Sequence, residues 1–162
     1  MSEFRINSFH PDDWQRFKAI RLRALEEAPD AFGSTLEREL AFTDEQWMER
    51  LKNPETATFV ATATNGNDVG LAVGAPYEGL AGLFAMWVAP KARTMGIGRA
   101  LVNAVCEWAK AEGHDRVRLD IANENAAAIA LYKSMGFHPN GITGTHPPPR
   151  EHIKEFQMEK QI

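Results

Sequence analysis

Residues 82–90 and 91–99 read GLFAMWVAP and KARTMGIGR, an apolar run followed directly by a basic turn with two glycines. The apolar run is typical of a buried strand, and an amphipathic helix is predicted after the glycines. At the start of a helix several backbone N–H groups lack an intrahelical acceptor, and the helix dipole adds partial positive charge. Because Gly96 and Gly98 carry no Cβ, a phosphate can approach the main chain closely. The stretch therefore predicts a pyrophosphate site, to which Arg93 can add a bidentate contact.

The spacing of the glycines narrows the class of ligand. The dinucleotide-binding fingerprint needs three glycines and a later acidic residue, and the Walker loop needs Gly-Lys followed by Ser or Thr. Neither pattern is present, which disfavours an enzyme of another nucleotide-phosphate class. What remains is R-x-x-G-x-G after a strand that ends at Val88-Ala89-Pro90. The alternative is that both glycines serve only a tight connection between the strand and the helix.

A second pattern lies downstream, where NAAAIALYKSMGF spans residues 125–137. Ala and Leu favour a helix, and Gly136 is well placed to end it. Asn125, Ala128 and Tyr132 fall on one face of that helix. Taken in order, R-x-x-G-x-G and N-x-x-A-x-x-L-Y-x-x-x-G-F resemble the two signatures of the GNAT family of N-acetyltransferases.

The resemblance, which covers residues 80–137, implies a fold class. This is an α+β (mixed α/β) fold with a central mixed, mostly antiparallel, twisted sheet of about seven strands, flanked by about four helices. The expected element order is β-α-α-β-β-β-α-β-α-β-β, with a hairpin turn at Asn65-Gly66. A length of 162 residues with 44% hydrophobic residues fits one such domain over residues 1–162.

The resemblance also implies acetyl-CoA as the co-substrate. Its pyrophosphate would lie on the glycine turn, and its pantetheine arm would run beside the preceding strand, pairing through backbone groups. The residues that carry over to cofactor binding are Met86, Trp87, Val88, Arg93, Thr94, Met95, Gly96, Ile97, Gly98, Arg99, Asn125, Ala128 and Tyr132. For Asn125, a role as the helix N-cap is an equally good interpretation.

The implied reaction moves an acetyl group from acetyl-CoA to a primary amine by direct attack in a ternary complex. Tyr132 matches the family tyrosine that protonates the departing thiolate, and a phenol, being less acidic than a thiol, is an adequate donor. The pattern also fits Tyr132 as an amphipathic core residue. A second function stays open, that of a CoA-binding regulatory module with little or no turnover.

The general base that takes a proton from the amine is not identified by the sequence. Many relatives use a glutamate on the strand before the glycine turn, whereas residues 83–88 contain no carboxylate. A water chain or a backbone carbonyl is one solution. The side-chain candidates, each expected to be a solvated surface residue, are Glu37, Glu39, Asp120 and His146. Residues 138–152 are expected to form a loop that supplies one wall of the acceptor pocket.

Acidic residues concentrate between Glu26 and Glu49, where eight carboxylates stand against Arg38 alone. The rest of the chain carries a net charge of +3. In the family, the first two helices form a wall of the acceptor pocket, so the acids favour a cationic amine as acceptor. The alternative is that they decorate solvated helix faces.

Composition excludes several other classes of function. A net charge of −4 disfavours nucleic acid as a partner, and no apolar run is long enough to span a membrane. The N-terminal sequence MSEFR does not resemble a signal peptide, so a cytoplasmic protein is expected. The single cysteine, Cys106, is expected on the polar side of its helix, and the five histidines show no metal-site spacing. No metal is predicted, and a homodimer is compatible with the family.

Overall fold

The protein is described by a computed structural model that covers residues 3–162. Met1 and Ser2, which belong to the stretch where no signal peptide is predicted, lie outside the described residues. Seven strands and five α-helices follow one another as β1 (Phe4–Ser8), α1 (Trp14–Glu27), α2 (Leu36–Leu40), α3 (Asp44–Lys52), β2 (Ala57–Ala63), β3 (Asp68–Tyr77), β4 (Leu80–Val88), α4 (Ile97–Ala111), β5 (Arg116–Ala122), α5 (Ala126–Ser134), β6 (His138–Thr145) and β7 (Lys154–Gln161).

The strands form one mixed sheet in the order β1-β2-β3-β4-β5-β7-β6, and only β4 and β5 run parallel. The predicted fold class is therefore confirmed, with one helix more than expected. The additional helix is α2, which begins where Thr35 Oγ1 accepts a hydrogen bond from the Arg38 N–H at 3.2 Å. It has only five residues, too few for hydrophobic periodicity to predict.

The parallel strands β4 and β5 pair only at their beginnings. The register joins Ala81 to Val117 and Gly82 to Arg118, and the rest of the two strands is unpaired with each other. On its other side β4 is bulged, because two of its residues, Ala85 and Met86, lie opposite one residue of β3. A bulge bends its strand, so the ends of β4 and β5 diverge and leave a gap in the sheet.

Two hydrophobic cores cover the two faces of the sheet. Helices α1 and α3 bury one core around Phe17 and Trp47, and α4 with α5 buries the other around Leu101 and Leu119. The expectation that Cys106 lies on the polar side of its helix is wrong, because Cys106 is only 7% exposed. Helix α4 crosses β2, β3 and β4, so a wider arc of its surface is buried than one stripe. None of the helices described in residues 3–162 is long and apolar enough to cross a bilayer.

An ion pair buried beneath α2 ties the first three helices together. The Glu39 carboxylate accepts from Arg21 Nε at 3.1 Å and Nη2 at 2.9 Å, and from Arg50 Nη1 at 2.8 Å. Glu39 is 2% exposed, so the expectation of a solvated residue is wrong. Burial alone would raise the pKa of Glu39, but the two guanidinium groups outweigh it and hold the pKa at about 2.

Substituting Glu39→Gln should destabilise the fold by about 3 kcal/mol at pH 7, because buried guanidinium groups lose their counter-charge. The carboxylate contributes its full stability above its unfolded pKa, and this is lost as pH falls through the folded value of about 2. The difference in the free energy of unfolding between variant and wild type, measured by urea unfolding, should therefore decrease from about pH 5 downward. Glu37→Gln, at an exposed position of the same helix, is the control. A gap that is constant with pH would contradict the ion-pair account.

Candidate functional site

A cleft of about 590 Å³ opens at the gap between the diverging ends of β4 and β5. Its walls come from the end of α1 and the turn after it, the end of β4, the start of α4 and the exposed side of α5. Ten of the thirteen residues predicted to bind the cofactor line this cleft: Met86, Trp87, Val88, Arg93, Gly96, Gly98, Arg99, Asn125, Ala128 and Tyr132. The structure thus brings both sequence motifs to one concave surface.

The side chains of the other three predicted residues point elsewhere. Ile97 is 1% exposed and belongs to the core beneath α4. Met95 lines a second cavity of about 930 Å³, formed by α1, the β2–β3 turn and residues 89–92. Thr94 is exposed outside the cleft. These three residues can therefore face a ligand in the cleft only through their main-chain groups.

The N-terminus of α4 presents free backbone amides at one end of the cleft. The first helical hydrogen bond runs from the Ala100 N–H to the Gly96 carbonyl at 3.1 Å. Within residues 3–162 the amides of Ile97, Gly98 and Arg99 therefore have no backbone acceptor. Gly96 precedes the helix at φ +83°, a conformation that glycine adopts readily. The geometry is that of an anion site, with three donors and the positive end of the helix dipole.

Gly98 fits a crowded position where α4 meets α5. A Cβ at this residue would lie 3.0 Å from Leu131 Cδ2 and 3.2 Å from Met86 Cε. Both distances are shorter than ordinary carbon contacts, so the ends of the Leu131 and Met86 side chains would have to move by a few tenths of an ångström to admit a Cβ. Gly98 therefore allows close packing between α4, Met86 and Leu131, and all three residues line the cleft.

Arg93 joins the glycine turn to the end of α1. Its Nε donates to the Val88 carbonyl at 3.0 Å, and its Nη2 forms an ion pair with Glu27. Half of the Arg93 side chain is exposed toward solvent. An anion in the cleft would therefore compete with Glu27 for this guanidinium.

Two residues of the second motif adopt defined positions at α5. Asn125 Oδ1 accepts a hydrogen bond from the Ala128 N–H at 3.4 Å, so Asn125 caps the helix, as one interpretation of the sequence holds. Tyr132 lies on the same face of the helix, about two turns further along. It is 4% exposed and packs against Phe137 with ring centroids 5.6 Å apart. Burial raises the pKa of Tyr132 above its ordinary value, so its hydroxyl keeps its proton at neutral pH.

Polar groups line the open face of the sheet beside the cleft. The Tyr77 hydroxyl donates to the Asp120 carboxylate at 2.8 Å and accepts from Gln157 Nε2 at 2.8 Å. The expectation of an exposed His146 is wrong, because its side chain is 3% exposed. Its Nε2 lies 2.8 Å from the Asp30 carbonyl. Of the predicted base candidates, Glu37 is exposed on α2 and Glu39 is held in its ion pair.

Glu155 is a polar residue of this region that the sequence analysis missed. Its Oε2 lies 3.3 Å from His146 Nδ1. The two strands expected after α5 are present as β6 and β7, and the expected loop is confined to the residues between them, 146–153. The strand expected over residues 155–159 is present within β7, and the alternation of Glu155, Gln157 and Glu159 with Phe156 and Met158 is the signal that could have shown its polar face.

The acid-rich segment carries less free charge than its composition suggests. Beyond the ion pairs of Glu27 and Glu39, Asp30 lies 3.8 Å from Arg150, Asp44 lies 3.9 Å from Lys18 and Glu49 lies 3.6 Å from Lys52. Five of its eight carboxylates thus have a cationic neighbour, which weakens the negative field of this wall. Within residues 3–162 there is no group of three or more His, Cys, Asp or Glu side chains that could hold a metal ion.

Comparison with known proteins gives consistent matches. A profile described as the Acetyltransferase (GNAT) family matches residues 17–137. Mycothiol acetyltransferase of Thermobispora bispora is 31% identical over 141 residues, which are 82% of this chain and 46% of that protein. The solved structure of a ribosomal-protein-alanine N-acetyltransferase from Brucella melitensis is 27% identical, with a TM-score of 0.76 over 98% of this chain and 99% of the other.

A second solved structure is similar in fold. The solved acetyltransferase of the GNAT family from Streptococcus pneumoniae gives a TM-score of 0.80 over 99% of this chain and 100% of the other. At 22% identity this likeness concerns the fold alone. The chain spans less than half the length of the curated relatives that it matches.

Substituting Gly96→Ala should destabilise the protein by about 1 kcal/mol, because an L-residue is strained at φ +83° even though nothing crowds a Cβ there. Gly33→Ala is a suitable control, since a Cβ at Gly33 would meet only Pro147 Cδ at 3.8 Å, an ordinary contact. Thermal unfolding of both variants measures the difference. Equal melting temperatures for Gly96→Ala and wild type would mean that the turn before α4 adopts another conformation.

Proposed function

The chain belongs to the GNAT acetyltransferase family, and on that premise we propose that it transfers an acetyl group from acetyl-CoA to a primary amine. One observation carries the proposal. A single cleft has free helix amides at one end, an unpaired strand edge along its side and a buried tyrosine hydroxyl on its wall. The helix amides suit the anionic pyrophosphate of acetyl-CoA, the strand edge suits its amide-bearing pantetheine arm, and the tyrosine hydroxyl suits its thioester.

The helix amides and the strand edge fit the two parts of CoA. The pyrophosphate is held by the N–H groups of Ile97, Gly98 and Arg99, and Arg93 adds a cation when it leaves Glu27. The pantetheine amides bond to the edge of β4 near Met86 and Val88, which lacks a partner strand at that point. The peptide groups of β4 thus align the thioester with the wall formed by α5.

Tyr132 is the proposed proton donor to the departing sulfur. The thioester supplies an activated acyl group, and the thiolate that leaves must be protonated. Burial raises the pKa of Tyr132, so its hydroxyl carries a proton at neutral pH that it can pass to the sulfur while the C–S bond breaks. Among the residues that line the cleft, Tyr132 is the one that carries a hydroxyl.

Direct transfer in a ternary complex is favoured over a covalent acyl-enzyme. A cysteine nucleophile needs an accessible thiolate. The one cysteine of the chain, Cys106, packs in the core beneath α4, and burial raises the pKa of its thiol. The acceptor amine therefore attacks the thioester itself.

The acceptor is proposed to be a cationic primary amine. The relatives are named for different acceptors, mycothiol and ribosomal-protein alanine, so the family alone leaves this choice open. The cleft wall includes Asp30 and Glu124, and the Asp120 carboxylate lies on the adjoining open face. These acids attract an ammonium group. One domain over residues 1–162, a cytoplasmic location and a homodimer remain predictions.

A CoA-binding regulatory module is the second candidate. It is favoured by the absence of any carboxylate among residues 83–88 of β4. A module of this kind would bind acetyl-CoA through the same cleft without releasing CoA thiol in the presence of amines.

Tyr132→Phe should lower kcat about 100-fold or more and leave acetyl-CoA binding unchanged, because only the transferred proton is lost. Release of CoA thiol with a panel of polyamines, aminoglycosides, amino acids and short peptides measures kcat, and calorimetry measures binding. Normal turnover by the variant would contradict the role of Tyr132. An inert wild type that binds acetyl-CoA would support the regulatory module.

Arg93→Gln should weaken acetyl-CoA binding about tenfold, the value of one charge-assisted contact. Glu27→Gln should leave binding equal or tighter, because it frees the Arg93 guanidinium for the anion. Lys91→Gln is the matched control, since Lys91 lines the second cavity outside the cleft. Equal losses for Lys91→Gln and Arg93→Gln would point to a general charge effect.

A further inference from the structure

Acetylation of an amine needs a proton acceptor, which β4 does not supply. An alkyl amine with a pKa near 10.4 is almost wholly protonated at neutral pH, so a nearby group must take its proton. Residues 83–88 are apolar. A side-chain base would therefore come from another element that reaches the gap between β4 and β5.

The imidazole of His146 has one nitrogen committed and one facing a carboxylate. A carbonyl oxygen only accepts hydrogen bonds, so the 2.8 Å contact with the Asp30 carbonyl requires a proton on Nε2. Nδ1 is buried without a hydrogen bond of good geometry, although Glu155 Oε2 is 3.3 Å away. With Nδ1 bare and Glu155 ionised, two lone pairs face each other. The pair therefore gains stability from one proton held between these two atoms.

This His146–Glu155 pair borders the cleft. Glu155 lies directly opposite Ala122 in the register of β7 with β5, and Ala122 lines the cleft. Asp30, whose carbonyl holds the imidazole, lines it as well. The Glu155 side chain is 22% exposed, so a substrate amine or one bridging water can reach its carboxylate.

The surroundings increase the proton affinity of the carboxylate. Burial raises the pKa of Glu155, and the negative charge of Asp120 raises it further, whereas His146 opposes both effects. Tyr77 holds Asp120 in place from β3. Arg150 bonds to backbone carbonyls of the turn after α1 and lies 3.8 Å from the Asp30 carboxylate, and Arg118 lies over the Tyr77 ring.

We propose that the His146–Glu155 pair is the general base of this acetyl transfer, with Glu155 taking the proton of the acceptor ammonium and His146 sharing it. The inference rests on the proposed function and assigns its missing proton acceptor. Glu155 is then a catalytic residue that meets the ammonium directly or through one water. His146 is a positioning residue, whose buried ring holds the Glu155 carboxylate in place through the contact of 3.3 Å between Nδ1 and Oε2.

The reaction moves two protons from the amine and replaces the C–S bond with a C–N bond. One ammonium N–H bond breaks, and its proton goes to the His146–Glu155 pair. The freed nitrogen lone pair forms the C–N bond, and the C–S bond breaks as the intermediate collapses. Tyr132 gives its proton to the sulfur and regains one from the second N–H of the amine. The products are an amide, CoA thiol and one proton, which the pair releases to solvent.

The pH dependence of Glu155→Gln, a change that preserves shape, tests the proposal. At pH 7 kcat/KM for the amine should fall about 100-fold, with the KM for acetyl-CoA unchanged. Below the pKa of the amine, its neutral fraction rises about tenfold with each unit of increase in pH, and neutral amine needs no base. The loss of kcat/KM in Glu155→Gln should therefore shrink to a few-fold by pH 9. Glu155→Asp should retain part of the activity, and His146→Gln should show the same narrowing with pH.

Glu151→Gln is the matched control, because Glu151 is exposed on the loop between β6 and β7. It should match wild type at every pH. A second readout does not need turnover: ¹⁵N NMR should find a proton fixed on His146 Nε2, where the Asp30 carbonyl accepts it.

The outcomes separate the two proposals. A loss that narrows with pH supports the base, whereas full activity in Glu155→Gln, or a loss that is constant with pH at unchanged melting temperature, overturns it and leaves acetyl transfer intact. A bare Nε2 in the NMR spectrum also overturns it. Wild-type protein that binds acetyl-CoA but acetylates no amine overturns the proposed function, and the assigned base with it.

Discussion

The divergence of β4 from β5 is the constraint on which the site depends. After two paired positions the strands part, since the bulge at Ala85 and Met86 bends β4 away. A parallel pair has helices at its strand ends, so the gap opens where α4 begins and α5 passes. Unpaired peptide groups, free helix amides and the Tyr132 hydroxyl therefore meet at one opening. If β4 and β5 paired along their whole length, there would be no opening for these three kinds of polar group to share.

Burial rather than formal charge sets the electrostatics around that opening. The acid-rich segment is largely matched by nearby cations, with Glu39 fully internal and Glu27 engaged by Arg93. The proposed base lies on the open sheet face that also carries Asp120, and there the Glu155 carboxylate is 3.3 Å from the buried His146 imidazole. Like charges at close range and partial burial raise the proton affinity of a carboxylate, which is what a general base near neutral pH requires.

Local sequence patterns predicted most of the fold and ten of the residues that line the cleft. R-x-x-G-x-G and the Asn125 motif each reflect one turn or one helix face, so neighbouring residues suffice to read them. Three features depend on distant partners. Glu39 is internal because of Arg21 on another helix, and His146 because of Asp30, 116 residues earlier. The bulge places Ala85 at φ +57° without the glycine that would have marked it. Periodicity carries no information about such pairings.

The most direct test of the account is backbone amide exchange, followed by mass spectrometry, with and without acetyl-CoA. Binding in the gap should slow exchange in two segments, residues 85–88 of β4 and residues 96–99 at the start of α4, because their unpaired amides acquire acceptors. Residues 65–68, which line the second cavity, should exchange at an unchanged rate. Tight binding that protects residues 65–68 and leaves the other two segments unprotected would contradict the account.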